Sequence, residues 1–438
     1  MKKGLTILLI ALVAISSLFA QGQAESKATA NGPVELTFWA NYTTPERNEF
    51  YAKCIQEFEA ENPNIKIKIT CLPEKADTKL MAAYEAGEGP DIWYATAPDV
   101  SVHAANDFII PLDKYFESWD FKDKILTSAT DAVRELDLSG KNQLYYVPFG
   151  TAVSTIWVRS DWLKEVGYPD GIKTWEDFFD AAEKMTDKPN KKYGLSILGG
   201  GGSAKFYERE MYAYSGILSL FDENGKCTIN DPKNIEFMER YLGLYGKCTA
   251  EGDLNQNWQE LTAAFDSGSA GMIIHNLGSA SDHVKAFNDD RTKFAAMGMP
   301  LNDKGYSLNM MSQPGGMSIA KTCKHPDEAW KFITFMATGS RVDGLDQLYG
   351  TIPVNTESLE NSAWIHELPW CDAVANLLAD PNTKFFKSYP MIPGKNKVYT
   401  EMQTLAQYVM SGKMTAKEMM DKWAEQFQAC YDKYMTTK

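Results

Sequence analysis

The chain has 438 residues, with 44 Lys+Arg against 58 Asp+Glu and a formal charge of −14. Apolar residues make up 44% and charged residues 23%, proportions that exclude a collagen, a coiled coil or a disordered polymer. The acidic balance speaks against a nucleic-acid partner, whose phosphates are met mainly by Lys and Arg. At roughly 100–200 residues per domain, two or three domains are expected, large enough to fold without metal or disulfide staples.

Residues 1–20 (MKKGLTILLIALVAISSLFA) place Lys2 and Lys3 ahead of an uncharged run from Leu5 to Ala20. That run is shorter than the roughly 20 residues of a membrane-spanning helix and reads as the core of a signal peptide, residues 1–24. Gly22 and Ala24 favour a cut after Ala24; a cut after Ala20 is the alternative. No cysteine lies near either cut, so no lipid attachment is expected. The mature chain is predicted to be exported, soluble, and periplasmic or extracellular. All seven cysteines (54, 71, 227, 248, 323, 371 and 430) belong to it. Disulfides are permitted there, yet the number is odd and spacing assigns no pairing, even for the sequence-close Cys54/Cys71 and Cys227/Cys248.

Val34–Trp39 reads as a strand. Thr43-Thr44-Pro45 then opens a helix with Phe50, Cys54, Ile55 and Phe58 on one face, and Asn62-Pro63-Asn64 stops it. Ile65–Ile69 alternates with period two, the mark of a strand with one buried face. A helix around 75–86 and a strand at Asp91–Ala95 follow, which completes a βαβ pattern. The same grammar resumes with a strand at Ser154–Val158, a helix at Thr174–Met185 and a strand at Tyr193–Leu198. Beyond the glycine loop 199–202 come a hairpin turn at Asp222–Gly225 and strands at Gly268–Ile274 and Gly315–Ala320. A helix at His325–Ala337 precedes a mostly helical tail over 356–438 anchored by Leu405, Val409, Met414, Met419 and Trp423. The pattern is α/β in two lobes.

Catalytic motifs fail. The glycine loop lacks the GxSxG order, no Gly-Lys pair continues as a P-loop, and the five histidines form no HExxH. The aspartates near Asp222 lack the spacing of a calcium loop. No cofactor or metal is expected, and the reading is not an enzyme. Backbone-exposing turns instead follow the strands, where open α/β sheets hold their ligands. Sugars suit such a crevice, because C–H faces stack on aromatic rings while hydroxyls seek amide and carboxylate partners. For Trp93, Trp157 and Trp175, inside strands or a helix, the expectation is core packing.

A set of ordered segments carries a resemblance: Glu57–Ile69 (EFEAENPNIKIKI), Gly89–Ile92 running to Ile110–Asp113, Leu144–Pro148 and Ile156–Asp161. Lys173–Phe178, Phe265–Met272, Pro314–Ile319, His325–Phe332 and Gly350–Val354 continue it. Together with the export signal, the chain resembles extracellular solute-binding proteins of ABC importers, in the family-1 carbohydrate group that includes maltose-binding protein. The resemblance implies a two-lobed periplasmic-binding-protein fold, type II-like. Each lobe would be a mostly parallel sheet flanked by helices, with the ligand cleft between the lobes. It places the lobes at 34–150 with 313–350, and at 151–312 with 351–438, the crossovers falling near 148–152, 312–314 and 350–353.

Carried over by position, the cleft would be faced by Asn41, Tyr42 and Thr43, by Thr96 and Asp99, and by Gly201, Ser203, Phe206, Tyr207 and Arg209. His275, Asn276, Gln313, Gly315 and Gly316 complete it, and Tyr399 falls where a stacking Trp stands in the maltose-binding relative. Asp99 and His275–Gly278 replace aromatics found in many relatives, which implies a more polar or smaller sugar than a maltodextrin. The implied function is capture of a mono- or oligosaccharide by a monomer. Delivery would be to a membrane permease pair, heterodimer or homodimer, driven by a cytoplasmic ATPase. A same-fold binder of a polyamine, metal chelate or peptide is the first alternative, and an exported glycan hydrolase the second.

Overall fold

The computed structural model describes residues 32–436 apart from 42, 73–75, 96, 138, 140, 388–391 and 393. The expected signal peptide, 1–24, lies outside the described residues. β1 (Val34–Ala40) buries Leu36, Phe38 and Ala40 on one face and pairs in parallel with β2 (Ile65–Cys71) and β3 (Ile92–Ala95). The helix between β1 and β2, Pro45–Glu61, begins and ends where its sequence dictates. The Thr44 hydroxyl accepts from the Arg47 amide at 3.3 Å, Pro45 takes the first turn, and Asn62 Nδ2 donates back to the Phe58 carbonyl at 3.0 Å. Its Tyr51, Cys54, Ile55 and Phe58 pack on Phe38 and on Phe332 of helix Pro326–Met336.

Three further strands complete a six-stranded sheet in the order β10-β4-β9-β3-β1-β2. β4 (Val147–Val153), β9 (Met311–Ile319) and β10 (Ile352–Pro353) all enter antiparallel. The sheet is therefore mixed, with parallel pairing confined to β1, β2 and β3. The reason is topological: β9 returns from the other lobe and runs against its neighbours. β5 (Thr155–Arg159), β6 (Met272–His275) and β7 (Phe294–Met297) form a second, antiparallel sheet in the order β6-β5-β7. β8 (Ser307–Asn309) pairs in parallel with β11 (Thr383–Phe385). The expected strand at Tyr193–Leu198 forms no ladder beyond a bridge from Tyr193 to Ala270. It runs extended and buried from there, with the Ser196 amide donating to the Met272 carbonyl at 3.0 Å.

Only Ser154 separates β4 from β5, and only Met310 separates β8 from β9. The first sheet thus extends past the expected limits at 150, 313 and 350, to Val153, from Met311 and to Pro353. The second lobe is largely helical. Helices Trp175–Lys184, Ser203–Ser215, Lys395–Met410 and Ala416–Thr436 share a core containing Trp175, Phe178, Tyr212, Met419 and Trp423. Thr174 caps the first of these in a reciprocal box with Asp177. Trp93, Trp157 and Trp175 are core, as expected. Each of the seven cysteines is an unbridged thiol.

Gly150 of β4 exists to admit a carboxyl group. A Cβ there would lie 1.8 Å from Asp346 Oδ1, which accepts from the Thr351 hydroxyl at 2.6 Å. Burial, with Asp343 nearby, pushes the Asp346 carboxyl up to about 8. Burial likewise raises Glu210 to about 8 and Asp253 to about 7. The native state therefore keeps protons that the unfolded chain releases above about pH 4. That stability is full below about pH 4 and is lost as pH rises through about 8. Asp346→Asn, neutral at every pH, should flatten the fall in Tm between about pH 5 and about pH 8.5, by on the order of 1–3 kcal/mol of stability. An unchanged pH slope in this variant would show that Asp346 is ionised in the native state.

Candidate functional site

The glycine loop 199–202 sits on backbone rather than side chains. A Cβ on Gly199 would meet the Asp253 carbonyl oxygen at 2.3 Å, and one on Gly200 the Asn255 carbonyl oxygen at 2.5 Å. The Gly200 amide donates to the Gln256 carbonyl at 2.8 Å, and Gln407 Nε2 bridges the Gly199 and Leu254 carbonyls at 3.1 Å each. Gly202, at φ +88°, turns the chain into helix Ser203–Ser215. Gly201 is exposed and Ser203 buried at this junction.

The helix sorts its residues by burial. Tyr207 lies in the core with its hydroxyl donating to the Leu198 carbonyl at 2.6 Å, so it offers nothing to a ligand. Phe206 and Arg209 are half-buried, and the Arg209 guanidinium lies 5.6 Å from the Phe206 ring centre. Phe206 faces His275, at the carboxyl end of β6, with ring centres 6.2 Å apart and planes within 7°. His275 is buried, its Nδ1 3.0 Å from the Ser279 hydroxyl, and burial lowers its pKa to about 4, so the ring is neutral at ordinary pH. Asn276 turns the chain, its Oδ1 accepting from the Gly278 amide at 2.9 Å while its carbonyl accepts from Trp157 Nε1 at 3.1 Å.

Trp258 extends this row, and sequence reasoning missed it. Its ring centre is 6.0 Å from that of His275 with planes within 17°, and the residue is 47% exposed. Asn257 and Glu260 cap helix Trp258–Asp266 reciprocally, which presents Trp258 in the first turn, two residues beyond the Gln256 that holds the glycine loop. A Trp directly after a capping Asn, with Glu three residues later, was the available signal.

Tyr399 is no open stacking face. It is buried, its ring edge-on to Phe427 and Trp423, and its hydroxyl donates to Glu208 Oε2 at 2.8 Å. Helix Lys395–Met410 carries it into the core, where the phenol anchors a buried carboxylate instead.

From the first lobe, Asn41 follows β1 and is buried, its carbonyl accepting from the Tyr349 hydroxyl at 2.8 Å. Thr43 donates from its hydroxyl to the Leu72 carbonyl at 2.9 Å. Gly315 and Gly316 lie in β9, where Gly316 pairs with Ala95 at the end of β3. A Cβ on Gly315 would come within 2.6 Å of the Tyr94 hydroxyl, and one on Gly316 within 2.0 Å of the Val147 carbonyl oxygen. Tyr42 and Thr96 lie outside the described residues. Asp99 falls in helix Ala97–Ala105 and Gln313 in β9, with their side chains also outside the description. A cavity of about 440 Å³ is lined by Arg47 and Tyr349 together with Leu277, Gly278, Trp364 and Trp370. No group of three or more metal-ligating side chains occurs among the described residues.

Comparison with known proteins bears on the family and the fold. Residues 42–338 match the profile of the bacterial extracellular solute-binding proteins. The chain belongs to this family. The arabinooligosaccharide-binding protein of Bacillus subtilis (strain 168) is 25% identical over 366 residues, 80% of each chain. The sugar-binding protein MalE of Xanthomonas citri has a structure that matches 92% of this chain and 99% of its own at a TM-score of 0.77 and 17% identity. A solute-binding protein of Thermotoga lettingae, solved with α-D-tagatose, matches over 91% and 100% at a TM-score of 0.70 and 21% identity. The fold is thus the two-lobed α/β one of the MalE-like binding proteins. The family is one of substrate-binding proteins rather than enzymes.

Gly200→Ala should cost about 1–3 kcal/mol, because the new methyl can be relieved only by moving backbone. A thermal melt that matches the wild type would show that the loop yields freely.

Proposed function

We propose that this solute-binding protein captures a saccharide between its lobes, at the face formed by Phe206, His275 and Trp258 and the glycine loop. The mature chain would be exported through a cleaved signal peptide and would deliver the sugar to an ABC permease pair. The observation that carries the reading is Trp258, a large aromatic left 47% exposed with its ring near-parallel to that of His275, which is near-parallel in turn to that of Phe206. An exposed indole beside polar backbone is what a pyranose needs, with a C–H face on the ring and hydroxyls on amides and carbonyls. The oligosaccharide-binding relative and the sugar-bound structure of the same fold support the same class of ligand. Membership of the solute-binding family supports delivery to a permease. No helix among the described residues is long and apolar enough to cross a membrane.

A ligand touching both lobes would favour their closed arrangement by its differential affinity for it. Micromolar binding needs only about 8 kcal/mol, within reach of a few hydroxyl contacts and one stacked ring. On titration with a panel of mono- and oligosaccharides, intrinsic tryptophan fluorescence should change for at least one member. Trp258→Ala should weaken that binding by roughly tenfold while leaving the melting temperature unchanged. A wild-type protein silent to every sugar, in fluorescence and in calorimetry, would overturn the reading.

A further inference from the structure

The glycine loop is a junction between the segments that carry the three rings. The Gly200 amide donates to the Gln256 carbonyl at 2.8 Å, and the Gly200 carbonyl accepts from the Ser203 amide at 3.2 Å. Trp258 stands two residues past Gln256, and Phe206 three residues past Ser203, roughly one turn along its helix. One residue without a side chain therefore links the segments of two rings. The third ring, His275, ends β6, whose Met272 carbonyl accepts from the Ser196 amide just ahead of the loop at 3.0 Å.

The 253–256 segment grips the approach to the loop from one side. Gln256 is buried and donates from Nε2 to the Ser196 hydroxyl at 2.7 Å and to the Ile197 carbonyl at 2.6 Å, while Asp253 Oδ2 accepts from the Ile197 amide at 2.8 Å. A separate strut comes from helix Lys395–Met410. Gln407 Nε2 donates to the Gly199 and Leu254 carbonyls at 3.1 Å each and to Asn255 Oδ1 at 3.3 Å, so its two N–H groups are shared among three oxygens. Those oxygens lie within two residues of the Gly200–Gln256 bond on both of its sides. Gly199 and Gly200 have more backbone freedom to lose than any other residue type, and a strut that removes it beforehand lowers the ordering cost of binding. A side chain of the same length without an N–H would face the same three oxygens with nothing to give them.

We infer that Gln407 is a positioning residue for solute binding: its carboxamide joins the glycine loop to the 254–255 segment and so holds Phe206 and Trp258 in their near-parallel settings against His275. Its effect on affinity rests on the saccharide reading; its effect on Trp258 rests on the ring geometry alone.

The test uses the whole protein labelled with 5-fluorotryptophan, the fluorine resonance of Trp258 being the one lost in Trp258→Phe. Gln407→Met keeps the length of the side chain without a donor, and Gln407→Glu keeps its shape while replacing the donor with an acceptor. In both variants the Trp258 resonance should shift or broaden while most of the others hold. In calorimetry with D-tagatose, arabinotriose and maltotriose, any of the three that binds the wild type should bind both variants about threefold to tenfold more weakly. A Trp258 resonance unmoved in both variants overturns the inference; a lowered Tm beside it would mark Gln407 as structural only. A moved resonance with sugar affinity unchanged overturns it as well. Silence of the wild-type protein toward all three sugars tells against the saccharide reading instead, and the Trp258 resonance then decides the positioning role by itself.

Discussion

The architecture depends on a two-stranded ribbon. β4 and β9 pair antiparallel from Val147 opposite Met317 to Val153 opposite Met311, with register shifts between Pro148 and Gly150 and between Gly150 and Ala152, and each meets its neighbouring strand through a single residue, Ser154 or Met310. The two chains therefore leave the first sheet side by side and enter the second lobe together. A ribbon of that kind resists twisting at both ends, where the strands are locked in sheets, and bends most easily at the unpaired residues between them. Asp346, seated neutral in the space that Gly150 leaves open, packs the final helix of the first lobe against this ribbon. The same helix carries Tyr349 to the Asn41 carbonyl, so the ribbon, the helix and the end of β1 are one mechanical unit.

The second lobe solves a different problem. Its glycine loop has no side chains with which to hold itself, and it is tied down by the 253–256 backbone and by Gln407. Trp258, which follows the 253–256 segment, stands beside the His275 ring. Phe206 and His275 come from distant parts of the chain and meet only because helix Ser203–Ser215 and the end of β6 converge on this loop.

Several features were legible in the residues alone. Period-two alternation at Ile65–Ile69, the Thr44-Pro45 start and the Asn62 stop act over a few residues, and the structure reproduces them closely. So do Thr174 and the burial of Trp93, Trp157 and Trp175, which sit in apolar-patterned strands or a helix. Other features were not. Tyr207 and Tyr399 read as ligand contacts by position, yet both are core, because a tyrosine can bury its ring once its hydroxyl finds a carbonyl or a carboxylate. Tyr193–Leu198 has a strand's composition, but the chain beside it bonds irregularly and no ladder forms.

What the sequence by itself determined is the local grammar: where helices start and stop, which faces are apolar, and that the chain alternates strand and helix in an acidic protein. Those follow from backbone sterics, capping and the apolar pattern, all of which act within a few residues. The tertiary structure alone decided that β9 returns antiparallel into the first sheet and that Phe206 and Trp258 both meet the His275 ring. These depend on contacts between residues up to hundreds of positions apart, and no local pattern encodes which partners a folded chain will bring together.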